Sequence, residues 1–173
     1  DTTEVKVNDP GLIKYINLSP RLVPRSAGRN AYIKFHKSNY HIVERLMNKL
    51  MVTGHKGKKH KLSSGHNTGK VVKVYNLVEE SLKIIEKKMG KNPVEVLVKA
   101  IENAAPREEI TAIEYGGARY PKAVECSPQR RVDLALKNMV QGAYVATFNK
   151  KKSAINALAD EVINAYNSSM QSN

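Results

Sequence analysis

The chain has 173 residues, of which 29 are Lys or Arg and 16 are Asp or Glu, so its formal net charge is +13. This length suits one folded domain, and a hydrophobic content of 41% is enough to build a core, which excludes a wholly disordered basic polypeptide. A folded domain with this excess of positive charge is expected to bind a polyanion, and nucleic acid is favoured over an anionic membrane surface.

Cysteine content and hydropathy indicate the compartment. The single cysteine, Cys126, cannot form an internal disulfide, which favours a reducing compartment. The sequence has no apolar run close to the ~18 residues that a membrane helix needs. We therefore expect a cytoplasmic protein with no membrane partner.

The positive charge is concentrated in the first half of the chain. Residues 10–78 contain fourteen basic residues and a single acidic one, Glu44. Residues 79–173 contain fourteen basic and twelve acidic residues. Because an ordinary solvated surface mixes the two signs, this segregation predicts a phosphate-binding surface in the first half.

The first 40 residues have no sustained hydrophobic period, and three prolines interrupt them. A short helix is predicted over residues 10–18, with Leu12, Ile13 and Ile16 on one side. Beyond it, arginines recur every four residues. We interpret residues 1–40 as an extended basic arm, ordered mainly by its partner. Its candidate phosphate contacts are Arg21, Arg25, Arg29, Lys34 and Lys37.

Three amphipathic helices follow. Hydrophobic residues recur at helical spacing from Ile42 to a stop at Gly54, and again from Val71 to a stop at Gly90. The pair Asn92-Pro93 then has the cap and first-turn residues that open a third helix, which closes before Pro106. Short connections between these segments predict that the helices pack together.

A lysine-rich loop separates the first two of these helices. Like charges at this density repel each other, whereas facing phosphates they release counterions and gain affinity. The loop and the start of the following helix therefore form a second candidate RNA contact. Its residues are Lys56, Lys58, Lys59, Lys61, Lys70 and Lys73.

A β-hairpin is predicted at about residues 109–126, where residues that favour extended chain flank Gly116-Gly117. Arg119 and Lys122 are expected at or near its tip. Because a two-stranded ribbon is only marginally stable alone, we expect it to lean on a helix or on RNA.

Two further helices complete the predicted fold. One is capped by Ser127-Pro128, and the last follows Ser153. The fold class is therefore mainly α: a bundle of about five to six helices with one inserted hairpin and an extended basic N-terminal arm. We divide the chain into the arm, residues 1–40, and a helical RNA-binding body, residues 41–173.

No residue pattern predicts catalysis. Residues 65–70 partly match a phosphate-binding loop. However, the spacing between their glycines is one residue too short, and Val71 replaces the required hydroxyl residue. His55, His60 and His66 match no zinc spacing. We expect no enzyme activity, no catalytic residues, no metal and no cofactor.

Several strings together resemble one family. They are Ser-Ala-Gly-Arg at 26–29, the helix at 42–49, Ala-Ile-Glu-Asn-Ala-Ala-Pro-Arg at 100–107, Gly-Gly-Ala-Arg-Tyr at 116–120 and Val-Glu-Cys-Ser-Pro-Gln-Arg-Arg at 124–131. Over about residues 7–169 the chain resembles the archaeal and eukaryotic branch of the small-subunit ribosomal protein S-seven family.

The resemblance implies a structural ribosomal protein that binds the three-prime major (head) domain of small-subunit ribosomal RNA and nucleates head assembly. It also implies a hairpin near the exit-site transfer RNA and the messenger channel, with head and platform proteins as neighbours. Arg130 and Arg131 either brace the hairpin base or touch RNA. Tyr32, Phe35 and Tyr40 either stack on unpaired bases or pack in the core.

Two other functions remain open at the level of sequence. A DNA-binding regulator with a helix-turn-helix-like bundle fits the charge, although no clear recognition helix carries base-reading side chains. An RNA-processing enzyme fits the partner, although it needs a metal or an acid–base set that the sequence does not offer.

Overall fold

The computed structural model describes residues 2–29, 31–52 and 67–172. Within these residues the chain forms five α-helices and one two-stranded antiparallel hairpin, so the predicted mainly helical architecture is confirmed. Two short 3-10 turns, Ile13–Tyr15 and His36–Asn39, precede the first α-helix. The other elements in chain order are α1 (Ile42–Leu50), α2 (Val71–Met89), α3 (Pro93–Ala104), β1 (Glu108–Tyr115), β2 (Ala118–Glu125), α4 (Pro128–Thr147) and α5 (Ala154–Tyr166). None of the described helices is long and apolar enough to cross a membrane.

The helices share one hydrophobic core. Helix α5 packs against α2, α3 and α4, and α1 packs against α4 and α2. Each helix turns an apolar stripe inward, and each contributes at least one fully buried aliphatic side chain: Leu46, Ile85, Leu97, Leu136 and Leu158. Burial of a side chain of this size stabilises the fold by about 1.5–3 kcal/mol. This core therefore fixes the outer faces of the helices relative to one another.

Helix boundaries follow local capping chemistry. The Asn92 side-chain oxygen accepts a hydrogen bond from the Val94 N–H at 3.1 Å, and Pro93 begins α3. Helix α2 ends at Gly90, whose φ of 63° is a left-handed conformation that glycine tolerates. Ser127 occupies the position before α4, as predicted, but its side chain makes no capping hydrogen bond with the described residues.

The helix predicted over residues 10–18 is shortened to one 3-10 turn. Leu12 and Ile16 are buried, as predicted, whereas Ile13 is 54% exposed, so the prediction that it shares their side is wrong. Tyr15 and Ile16 both donate their N–H groups to the Leu12 carbonyl, at 2.9 and 3.1 Å. The turn therefore presents Leu12 and Ile16 to the core and Ile13 to solvent.

The hairpin projects from the helical body. Its two strands pair along their full length, and Gly116 and Gly117 both have positive φ, 59° and 80°, as the tight connecting turn requires. Both strands are exposed along almost their whole length. The Cys126 N–H donates to the Arg107 carbonyl at 2.9 Å at the base. Support from the described body is therefore limited to the base of the ribbon.

We expect Asn92→Ala to lower the free energy of unfolding by about 1 kcal/mol, because the Val94 N–H loses its partner. Ser127→Ala is the matched control, since it changes the same helix position without removing a capping bond, and it should cost less than about 0.5 kcal/mol. Urea denaturation followed by circular dichroism measures both variants. Equal losses would contradict this account of the helix starts.

Candidate nucleic-acid interface

The one acidic residue within residues 10–78 is buried. Glu44, on α1, is only 3% exposed. Its Oε1 accepts a hydrogen bond from the Ser26 backbone N–H at 2.8 Å and another from the Ser26 hydroxyl. This carboxylate therefore holds Ser26 of the basic arm against the helical body. It is also withdrawn from the surface, so the described surface of residues 10–78 presents basic side chains without an acidic one.

A buried ion pair fixes the end of the arm. Arg45 on α1 is 4% exposed and donates to the Tyr15 carbonyl at 2.8 Å and to Asp133 Oδ1 on α4 at 3.1 Å. Lys37 pairs with the other oxygen of Asp133. Burial raises the pKa of the Asp133 carboxyl, but the hydrogen bonds from Lys37 and Arg45 outweigh it and hold that pKa below its usual range. The arm, α1 and α4 are thus locked together.

The remaining cations of the arm face solvent. Arg21, Arg25, Arg29 and Lys34 are all exposed, and none of them forms an ion pair with a described carboxylate. Lys37 is half exposed although it pairs with Asp133. The predicted arm contacts are therefore accessible to a partner and belong to the chain segment that Glu44 and Asp133 anchor.

The predicted loop contacts are described only in part. Lys70 is the residue before α2, and Lys73 lies in the first turn of that helix; both are exposed. The N-terminus of a helix favours phosphate because its backbone N–H groups point outward. Lys56, Lys58, Lys59 and Lys61 lie outside the described residues.

Arg130 and Arg131 have different surroundings despite being neighbours in sequence. Arg131 is 9% exposed; it donates to the Pro106 carbonyl at 3.2 Å and to Asp9 Oδ2 at 2.8 Å. Its hydrogen bond lowers the pKa of the Asp9 carboxyl. Arg130 is exposed and forms a two-pronged pair with Glu109 of β1, at 2.7 and 3.0 Å. We predicted that this pair either braces the hairpin base or touches RNA. Both side chains contact the hairpin base, and the Arg130 side chain is also exposed to solvent.

The hairpin cations differ in position. Arg119 lies beside the turn and forms a long, exposed ion pair with Glu114 at 3.5 Å. Lys122 lies opposite Thr111, midway along the ribbon and farther from the tip than predicted. The reason is that β2 begins immediately after Gly117, so the tip is narrow and only the first residues of the strand belong to it.

Two basic residues that sequence reasoning missed lie in a groove between α1 and α4. This α1–α4 groove has a volume of about 360 Å³ and is lined by Lys37, Lys49, Arg130, Asp133 and Lys137, among others. Asp133 is the one acid among the described residues that line it. Lys137 follows Arg130 by seven residues, which places both on one face of α4. This spacing is visible in the sequence and could have identified Lys137. Lys49 joins them only through packing of α1 on α4.

The described residues show no arrangement suited to catalysis. Among them, no three His, Cys, Asp or Glu side chains lie close enough together to hold a metal ion. Desolvation raises the pKa of the Cys126 thiol, so this residue is a poor nucleophile near neutral pH. His55, His60 and His66 lie outside the described part of the chain.

A helical body, a projecting hairpin and a stretch, residues 10–78, whose described exposed charges are all basic are features of a class of structural proteins that bind nucleic acid. Within that class, the chain belongs to the family described as ribosomal protein S7p/S5e, whose sequence profile matches residues 14–173.

Curated relatives from archaea agree with this assignment, and each carries the name small ribosomal subunit protein uS7. The protein of Nanoarchaeum equitans is 56% identical over 172 residues, which cover 99% of this chain and 87% of that protein. That of Archaeoglobus fulgidus is 48% identical over 99% of this chain and 83% of its own length. That of Methanosphaera stadtmanae is 49% identical over 94% and 81%.

Family membership confirms the predicted resemblance. The family consists of structural proteins of the small ribosomal subunit, so the prediction that this protein is not an enzyme is confirmed as well. It also favours the ribosomal interpretation over the DNA-binding regulator.

We expect Arg131→Ala to lower the free energy of unfolding by about 2–3 kcal/mol, because it leaves Asp9 and the Pro106 carbonyl without their shared donor. Arg130→Ala is the matched control one residue away, and it should cost less than about 1 kcal/mol because its ion pair is exposed. Thermal and urea denaturation measure both. A larger loss for Arg130→Ala would contradict the assignment of Arg131 as the internal brace.

Proposed function

We propose that this small-subunit ribosomal protein binds the three-prime major (head) domain of small-subunit ribosomal RNA through its basic arm, its lysine-rich loop and the start of α2. One observation carries the proposal: Glu44, the one acid within residues 10–78, is buried, so the described part of this half offers phosphates a surface free of repelling charge. Each phosphate that a lysine or arginine neutralises releases counterions and adds affinity.

The contacts form two sets. The first set comes from residues 10–78. It consists of Arg21, Arg25, Arg29, Lys34 and Lys37 from the arm and Lys56, Lys58, Lys59, Lys61, Lys70 and Lys73 from the loop and the start of α2. The second is the hairpin and its base, with Arg119, Lys122 and Arg130 as contacts. Arg131 supports this set by holding the hairpin base, since its side chain is buried and bonded to Pro106 and Asp9.

The folded body supports a role early in assembly. Its core is complete without a partner, because all five described helices bury their apolar stripes against one another. A protein that is already folded spends little free energy on ordering itself when it binds, apart from the arm. We infer that it binds the head RNA before its neighbours and nucleates head assembly.

The hairpin supports a role at a neighbouring functional site. It projects from the body and exposes Arg119, Lys122, Tyr115 and Tyr120, which offer both charge and aromatic surface. We infer that it reaches toward the exit-site transfer RNA and the messenger channel. Neighbouring head and platform proteins would then cover other parts of the body.

Binding to a transcript of the three-prime major domain should depend strongly on salt. If six to ten phosphates are engaged, affinity should fall by ~10³-fold or more between 50 and 200 mM salt. The triple variant Arg21→Glu, Arg25→Glu, Arg29→Glu should bind at least ~100-fold more weakly and reduce the slope of log affinity against log salt by about 3. Filter binding across a salt series measures both quantities.

The matched control reverses three exposed lysines in the second half: Lys83→Glu, Lys87→Glu and Lys151→Glu. It makes the same change in net charge but lies in residues 79–173, where fourteen bases are nearly balanced by twelve acids, so we expect a much smaller loss. Circular dichroism verifies that both variants are folded. Equal losses in the two would show that only net charge matters and would overturn the proposed interface.

A further inference from the structure

A concave pocket lies between the end of the basic arm and the start of α4. It has a volume of about 440 Å³ and is lined mainly by Ile33, Lys34, Phe35, His36, Tyr40 and Gln129. We name it the Phe35 pocket. Its size falls within the range of sites that hold small molecules, and its lining combines aromatic rings, a cation and an amide.

Phe35 is held in a conformation that disfavours its own side chain. Its φ of 61° and ψ of 4° are left-handed, which crowds the Cβ of any residue other than glycine. Its ring is nevertheless 79% exposed, so the strain brings no burial in return. Strained residues of this kind persist where the surrounding structure enforces them, and they cluster at functional sites.

The turn that carries Phe35 is anchored on both sides. Lys37 pairs with Asp133, and the Tyr40 N–H donates to the Lys37 carbonyl at 3.2 Å. The Asn17 side-chain amide donates to the Asn39 carbonyl. The Phe35 ring is therefore presented to solvent by a preorganised turn, which lowers the entropy cost of binding a ligand on its face.

A side chain of α4 that lines the pocket has a donor without a partner. The side-chain amide nitrogen of Gln129, on α4, is buried and has no hydrogen-bond partner among the described residues. A buried donor without an acceptor is unfavourable, and an acceptor on a bound ligand would relieve it. Lys34 lies exposed at the rim, where it can reach an anion.

The pocket also continues into a cationic surface. Lys37 and Gln129 line both the Phe35 pocket and the α1–α4 groove, which adds Lys49, Arg130 and Lys137. A ligand that placed a flat apolar group in the pocket would therefore carry its anionic groups along the groove. A nucleotide within a single strand has this combination of an aromatic base and a phosphate backbone.

We propose that the Phe35 pocket binds one unpaired nucleotide of the RNA. The base stacks on the Phe35 ring, an acceptor atom on the base edge takes the Gln129 amide N–H, and the flanking phosphates lie on Lys34 and in the α1–α4 groove. This inference rests on the proposed RNA-binding function and gives it a site that selects unpaired over paired RNA, because bases stacked within a duplex leave no face free for Phe35.

The experiment compares Phe35→Ala with Phe148→Ala in the full chain, using the transcript of the three-prime major domain as the probe. Phe148 is the matched control, since it is also an exposed phenylalanine (57%) but follows the end of α4 and does not line the pocket. We expect Phe35→Ala to bind about 10-fold more weakly, the loss typical of one base stack, and Phe148→Ala to bind nearly as well as wild type. Gln129→Glu, which replaces the donor by an acceptor of the same shape, should also weaken binding.

Two further measurements separate a ligand role from a structural one. Phe35→Gly suits the left-handed backbone, so it should melt at or above the wild-type temperature while still losing affinity. Ultraviolet crosslinking of the wild-type complex, read by mass spectrometry, should give a nucleotide adduct on the peptide that contains Phe35.

The outcomes are distinguishable. If the wild-type protein does not bind the transcript, the proposed function fails and this inference falls with it. If wild type binds and Phe35→Ala binds equally well, or if Phe148→Ala loses as much affinity, the proposed nucleotide pocket is overturned while the proposed RNA interface stands. Loss of melting temperature in Phe35→Gly, or preference of the pocket for an acidic peptide over RNA, would overturn it as well.

Discussion

The hydrogen bonds between Glu44 and Ser26 are the contact on which the positive charge of residues 10–78 depends, because they keep the one acid of this stretch away from the surface. A carboxylate on the basic half of the chain would either repel phosphate or pair with a neighbouring arginine. Here it is buried on α1 and used to hold the arm. The same contact therefore fixes a chain segment that is rich in arginine and removes the one acid from its surface. The mutual repulsion of the exposed cations is offset by the packing of the helical body and, on our proposal, by RNA.

Arginines in this protein divide into two groups by burial. Arg45 and Arg131 are buried, each paired with an aspartate and bonded to a backbone carbonyl, so each joins segments far apart in sequence. A charge that is buried and paired in this way costs much to disrupt, which makes it suited to defining shape. The exposed arginines contribute little to stability and remain available to a partner. The buried arginines therefore stabilise the fold, whereas the exposed arginines are the proposed RNA contacts.

The helices and hairpin were predictable from the sequence because their signals are local. The apolar period, Asn92-Pro93, Gly90 and Gly116-Gly117 each determine a boundary with residues close in the chain. Ile13 was predicted wrongly, because a period measured over a few residues does not say that the helix ends after one turn. Family resemblance supplied the partner, which local patterns cannot name.

The interface was harder to predict because its geometry depends on packing between distant segments. The sequence identified the arm cations, but not that Lys49 joins Lys137 across α1 and α4. The sequence also did not show that Arg131 is buried and Arg130 exposed. Adjacent residues on a helix point in different directions, and which direction leads to the core depends on how the helix packs. Phe35 has an exposed ring and a left-handed backbone. The sequence could not distinguish it from an aromatic residue of the core, because neither its backbone conformation nor its burial follows from local patterns.

Lysine acetylation footprinting tests the central claim most directly. The protein is treated with a lysine-acetylating reagent, free and bound to the three-prime major domain transcript, and the extent of reaction at each lysine is read by mass spectrometry. If the exposed bases of residues 10–78 lie against RNA, Lys34, Lys70 and Lys73 should react several-fold more slowly in the complex, while Lys83, Lys87 and Lys151 react as before. Protection confined to the second set, or spread evenly over both, would contradict the account.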